Sequence, residues 1–127
     1  MDSVQSQTIT LMENRIQTYQ EFWPFYLSQH SHPTSRVLHL LGTLSAVSCV
    51  GFSFLLGPQL LGLALLCGYG PAWVGHFFFE KNRPATFKYP FWSLISDFRM
   101  VAVMLRGRMP EELERYHLKN RFSVRAR

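Results

Sequence analysis

HLLGTLSAVSCVGFSFLLGPQLLGLALLCGYGPAWVGH, residues 39–76, decides the fold. From Val37 to Phe79 there is no Asp, Glu, Lys or Arg, and Gly57-Pro58 stands at the middle of the run. A membrane span needs about 20 apolar residues, so the stretch reads as two spans, about 37–57 and 58–79, joined by a tight turn. His39 lies 18 residues before Gly57, and His76 lies 18 residues after Pro58. At roughly 1.5 Å of rise per residue, two antiparallel helices joined there bring His39 and His76 to one level. That level is the open end of the hairpin, near one membrane–water boundary. Arg36 precedes the first span, Lys81, Arg83 and Lys88 follow the second, and the turn carries no charge. The positive-inside bias then places both termini and the histidine end in the cytoplasm.

Before the hairpin, Ile9, Met12, Ile16, Tyr19 and Trp23 share one helical face, which predicts an amphipathic helix over about 8–27. Pro24 is expected to end or kink it. The aromatics Phe22, Trp23, Phe25 and Tyr26 suit either a membrane interface or packing on the protein. A polar loop, Gln29 to Arg36, holds His30 and His32. In span one, Gly42, Thr43, Ser45 and Ser48 are small enough to allow close helix approach. In span two, Gly68-Tyr69-Gly70-Pro71 is expected to bend or loosen the helix. Arg83-Pro84 is expected to end it. Phe91, Leu94, Ile95, Phe98, Val101 and Leu105 then recur at helical spacing, which predicts an interfacial or re-entrant helix over about 91–105. Pro110-Glu111-Glu112 opens a last short polar helix.

The expected fold class is therefore all-α: an integral membrane helical hairpin with amphipathic flanking helices. The 127 residues read as a single domain, 1–127, with 1–7 and 121–127 as disordered tails. The net charge of +5 sits at the flanks of the spans and in the tail, which favours anionic headgroups over nucleic acid. Cys49 and Cys67 match no zinc or redox spacing and read as small apolar residues. The N-terminus, with Asp2, Glu13, Arg15 and Glu21 and no apolar core, does not read as a secretory signal.

Ionisable groups at a membrane boundary are costly unless used, paired or wet. His30, His39, His76 and Glu80 can converge: the first lies nine residues before His39 across a turn, and the last shares a helical face with His76. Imidazoles with a carboxylate suit non-haem Fe(II), and zinc accepts the same donors. Singly, each has a bland alternative as a helix-end or interface residue. Of His30, His32 and His39, close together in sequence, one reads as a bystander, which leaves His32 open as ligand or bystander; His117 reads as solvated.

His30-Ser31-His32-Pro33 through Leu38-His39, followed by Val74-Gly75-His76-Phe77-Phe78-Phe79-Glu80-Lys81-Asn82-Arg83-Pro84-Ala85, resembles the DUF962 family. That family includes the Mpo1-like 2-hydroxy fatty acid dioxygenases. The resemblance extends across most of 22–108 and identifies a short form. It implies an integral membrane, Fe(II)-dependent oxygenase that shortens a long-chain 2-hydroxy acid by one carbon with O2, within fatty acid α-oxidation and sphingolipid metabolism. It implies the endoplasmic reticulum in a eukaryote and the inner membrane in a bacterium. His30, His39 and His76 match the family's histidines, and Glu80, Arg83 and Pro84 its following motif. The implied catalytic and metal set is His30, His39, His76 and Glu80, with Glu80 as fourth ligand or orienter of an imidazole. Arg83 is a candidate partner for the substrate carboxylate, and the alkyl chain would lie along the spans. His32 stands where the family commonly has Asn. The alternatives are a non-enzymatic membrane hairpin or scaffold, a zinc-dependent lipid-modifying enzyme or lipid carrier using the same histidines, and a soluble helical bundle.

Overall fold

The computed structural model describes residues 15–118. Among them every regular element is helical: α1 (Tyr19–Ser28), α2 (Pro33–Leu56), α3 (Leu60–Val74) continuing as a π-helix (Gly75–Glu80), a 3₁₀ turn (Ala85–Phe87), α4 (Pro90–Leu105) and α5 (Met109–Arg115). The all-α hairpin is as expected. Gly57, at φ 117°, ends α2, and the chain turns through Pro58 into α3. Two helical stretches, Pro33–Leu56 and Leu60–Glu80, are long and apolar enough to cross a membrane. Near the turn the hairpin is bare, with Phe54 86% and Leu55 81% exposed.

Among the glycines of the hairpin, two sit where the helices come closest. A Cβ on Gly42 would lie 2.7 Å from the Cys67 carbonyl oxygen, and one on Gly75 would lie 2.8 Å from Ser35 Oγ and 3.2 Å from Ser35 Cα. Both sites flank the histidines in sequence, so the spacing of α2 and α3 is set where the imidazoles stand. Ser45 and Ser48 face outward instead, and Ser48 Oγ donates back to Leu44 O at 2.9 Å. The expected small-residue contact is thus narrower than the sequence pattern. Gly42→Ala and Gly75→Ala are each expected to cost about 1–3 kcal/mol through overpacking. Gly51→Ala, which meets nothing within 4 Å, should be neutral or stabilising. Unfolding titrations in mixed micelles measure the difference.

Several expected boundaries move. Among the described residues, 15–18 are not helical and the helix begins at Tyr19, because Thr18 is extended and its Oγ1 accepts from Glu21 N–H. The expected stretch 8–14 lies outside the described residues, as do the tails 1–7 and 121–127. Pro24 does not end α1, which runs on to Ser28. One missing N–H near a helix start is outweighed by burial of Phe22, Trp23, Tyr26 and Leu27 on the far side. The loosening expected at residues 68–71 occurs later, as the π-helix at Gly75–Glu80. That segment ends before Arg83-Pro84, because Lys81 turns left-handed at φ 60° and the His76 carbonyl accepts from the Lys81 and Asn82 N–H groups.

The core lies at the histidine end of the hairpin. Phe22, Trp23, Tyr26 and Leu27 pack there with Tyr89, Met100, Met109 and Leu113. These aromatics form the protein's own core, which decides between the two readings of the cluster. Helix α4 is inside-out. Phe91, Leu94, Ile95, Phe98 and Leu105 of the expected stripe are exposed, while its sixth member, Val101, is buried with Ser93, Ser96 and Met100. An apolar face turned outward with small polar residues turned inward is the arrangement expected against lipid. Tyr19 Oη and Ser96 Oγ lie 3.1 Å apart, and Tyr26 Oη donates to Asp97 Oδ1 at 2.5 Å, tying α1 to α4.

Candidate metal centre

Three elements deliver the histidines. His30 follows the end of α1, His39 sits on the second turn of α2, and His76 opens the π-helix. All three are buried. Their ring centroids are 4.4 Å (His30–His39), 4.6 Å (His30–His76) and 5.1 Å (His39–His76) apart. One ligating atom from each lies within 4.8 Å of the other two.

The hydrogen bonds settle the tautomers. His30 Nδ1–H donates to the Tyr26 carbonyl at 2.7 Å, in the last turn of α1, where that carbonyl also accepts from the Gln29 N–H at 3.1 Å. His39 Nδ1–H donates to the Ser35 carbonyl at 3.0 Å. His76 Nδ1–H donates to Asn82 Oδ1 at 2.7 Å. Asn82 cannot be flipped, because its Nδ2 donates to the Gln29 carbonyl at 3.0 Å. A carbonyl oxygen only accepts, so each Nδ1 carries the proton and each Nε2 is left with a lone pair. His30 Nε2 and His39 Nε2 then stand 3.1 Å apart with no proton between them. Burial, followed by the neighbouring His39 and His76, holds the His30 imidazole well below the usual histidine range, so a bridging proton is disfavoured. Two converging lone pairs in a dry pocket call for a cation. Ligating histidines almost always donate their other N–H to a carbonyl or carboxylate, as all three do here. The residues present fit a metal held by three neutral imidazoles.

Glu80 is also buried, but it is not in the group within 4.8 Å, which among the described residues is His30, His39 and His76. Its Oε1 accepts from the His32 N–H at 2.6 Å and its Oε2 from Ser31 Oγ at 3.1 Å. It therefore braces the α1–α2 loop that carries His30. His32 caps α2, its Nδ1 accepting from the Thr34 N–H at 3.2 Å. That is a role Asn fills equally well. Arg83 is exposed, and its guanidinium sits 5.6 Å from the Phe87 ring centroid. It is not among the residues lining the cleft at the histidines. The buried guanidinium nearby is Arg36, which donates to the His30 carbonyl at 2.7 Å.

The cleft beside the imidazoles is small, about 20 Å³, and is lined by Tyr26, Tyr69, Trp73, Thr86, Ser93 and Asp97 together with the histidines. Asn82, Tyr26 and Asp97 carried no role in the sequence reading. Asn82 at least stood in the quoted motif, six residues after His76.

Burial raises the Asp97 carboxyl to about 6, against an ordinary value of 3.8, although the Tyr26 hydroxyl partly offsets it. The unfolded chain thus loses this proton at lower pH than the folded chain. Between those values the folded state holds the extra proton, so stability falls as pH rises, and the full cost stands above about pH 6. Asp97→Asn is expected to raise stability by about 2–3 kcal/mol near neutral pH and to change nothing near pH 4. Unfolding midpoints across that range check the sign.

The model of the Mpo1-like family, described as 2-hydroxy-palmitic acid dioxygenase Mpo1-like, matches residues 16–109. No curated protein and no solved structure matched. The matched stretch includes all three histidines, the braces on their Nδ1 atoms and both apolar helices, and by that match the chain belongs to the Mpo1-like family.

Proposed function

We propose that the chain is an integral membrane Fe(II)-dependent dioxygenase that shortens 2-hydroxy fatty acids by one carbon. The observation that carries the metal part is the set of three Nδ1 partners, which leaves an Nε2 lone pair on each of three imidazoles whose ligating atoms lie within 4.8 Å of one another. The family description supports the substrate class and the use of dioxygen. His30, His39 and His76 would hold the iron, which when bound supplies redox chemistry with dioxygen that no side chain can perform.

The chain's own residues do the rest. Asn82 and the Tyr26 and Ser35 carbonyls fix ring orientation and keep the imidazoles basic. Glu80 and Arg36 hold the loop behind His30. Tyr26, Trp73 and Ala72 exclude water from the cleft. Asp97, paired with Tyr26 Oη, is the carboxyl that faces it and exchanges a proton near pH 6. The two apolar helices and the outward apolar face of α4 favour residence in a bilayer, with the basic histidine end towards the cytosol.

Detergent-purified protein reconstituted anaerobically with Fe(II) should consume 2-hydroxypalmitate only after oxygen is admitted. It should release the acid one carbon shorter. Zinc-loaded protein should be inactive. Turnover without oxygen, or with zinc alone, contradicts the reading. An unchanged cellular phenotype after loss of all three histidines would favour a scaffold.

A further inference from the structure

An apolar groove of about 550 Å³ runs along the hairpin under α4. It shares Tyr69, Ala72 and Asp97 with the histidine cleft, so the two adjoin across these side chains. Its floor is made of small residues on facing helices: Ala46 on α2, and Ala64, Gly68 and Ala72 on α3. Leu94 and Phe98 of α4 form one wall. Its far end is bounded by Val50 and Leu61, both half exposed. From the level of His39, Val50 lies 11 residues further along α2, a rise of about 16 Å at the helical pitch. The groove volume falls within the roughly 300–1,000 Å³ of ligand sites. The one acidic or basic side chain on its lining is Asp97, at the end next to the cleft.

We propose that this groove holds the alkyl chain of the acid whose polar head lies at the histidines, and that Val50 and Leu61 at its far end set the longest chain accepted. The proposal rests on the function above for the head and goes beyond it in assigning the tail. The occupant follows from adjacency: a narrow cleft at the histidines beside a long apolar trough, with Tyr69, Ala72 and Asp97 bordering both, fits an amphiphile with one compact head and one chain. The open side of the groove faces where lipid would be, so the chain enters sideways from the bilayer without crossing water.

The test uses binding, separately from turnover. Wild-type protein in nanodiscs is titrated with saturated 2-hydroxy acids from octanoate to stearate. Val50→Phe and Leu61→Phe narrow the far end at half-exposed positions, and Leu55→Phe, 81% exposed near the turn, is the control. Affinity in the wild type should rise with chain length and then level off. Each far-end variant should level off earlier, losing about tenfold for the longest acid, equivalent to about two buried methylenes. It should leave octanoate binding unchanged. The control should match wild type.

The same loss at every chain length, or no earlier plateau in either variant, overturns the groove assignment. So does competition by phosphatidylcholine as effective as that by the acids, which would mark an ordinary lipid-facing crevice. A shifted plateau with no oxygen-dependent product retains the groove and removes the dioxygenase.

Discussion

His39→Ala is expected to abolish stoichiometric metal binding and to lower oxygen-dependent turnover by more than 100-fold. The basis for the magnitude is comparative. Loss of an outer partner of a ligating histidine typically costs about 10–100-fold in metal affinity or activity, and removal of the ligand itself must exceed that. His39 is the most informative of the three because its Nε2 faces His30 Nε2 at 3.1 Å. Its removal relieves the crowding of lone pairs, so the metal-free variant should be no less stable than the metal-free parent apart from the lost packing. That separates a ligand from a structural histidine. A structural histidine would show a lower unfolding midpoint with metal content unchanged. His30→Ala and His76→Ala should behave alike in metal content.

The second large effect belongs to Asn82, which touches no ligating atom. Asn82→Ala removes the acceptor for His76 Nδ1–H and the donor to the Gln29 carbonyl. The imidazole is then free to rotate or to change tautomer. A loss of about 10–100-fold in metal affinity is expected, with most of the fold intact. Competition with a chelator of known affinity measures it. Asn82→Asp preserves the acceptor and, although it replaces the donor to Gln29 with a charged oxygen, still holds His76 Nδ1–H, so it should recover part of the affinity. If alanine and aspartate at this position are equally damaging, orientation of His76 is not what Asn82 supplies. Affinity unchanged in both variants would mean His76 needs no support at all.

How much of this was legible before the structure follows from which features are set by chain geometry alone. Helical rise is nearly constant, so equal counts from Gly57-Pro58 suffice to level His39 with His76. The nine-residue step from His30 is short enough for one turn. Charge is excluded from the spans by solvation cost, so the hairpin is plain in the composition. Other features depend on what packs against what. The π-helix at Gly75–Glu80 keeps His76 and Glu80 on the inner side while Phe77, Phe78 and Phe79 stay outside, and no local pattern announces it. Helix α4 has a clear apolar stripe, but periodicity does not say whether a stripe faces core or lipid. Pro24 obeys a local rule that burial of its neighbours outweighs. Glu80 had the right level and spacing for a ligand. Its carboxylate is engaged with Ser31 and the His32 backbone, a pairing that depends on how the α1–α2 loop folds. The Nδ1 partners, which fix what the imidazoles can do, come from carbonyls and an amide that carry no special sequence signature.

X-ray absorption at the metal edge of the detergent-purified, iron-reconstituted protein, with iron quantified per chain, tests the metal centre most directly. The expected result is one iron per chain with three imidazole nitrogens in the first shell, falling to two in His39→Ala if any iron remains. Iron well below one per chain, or a shell with fewer than three imidazoles in the unsubstituted protein, would contradict the convergence of His30, His39 and His76 on a common ion.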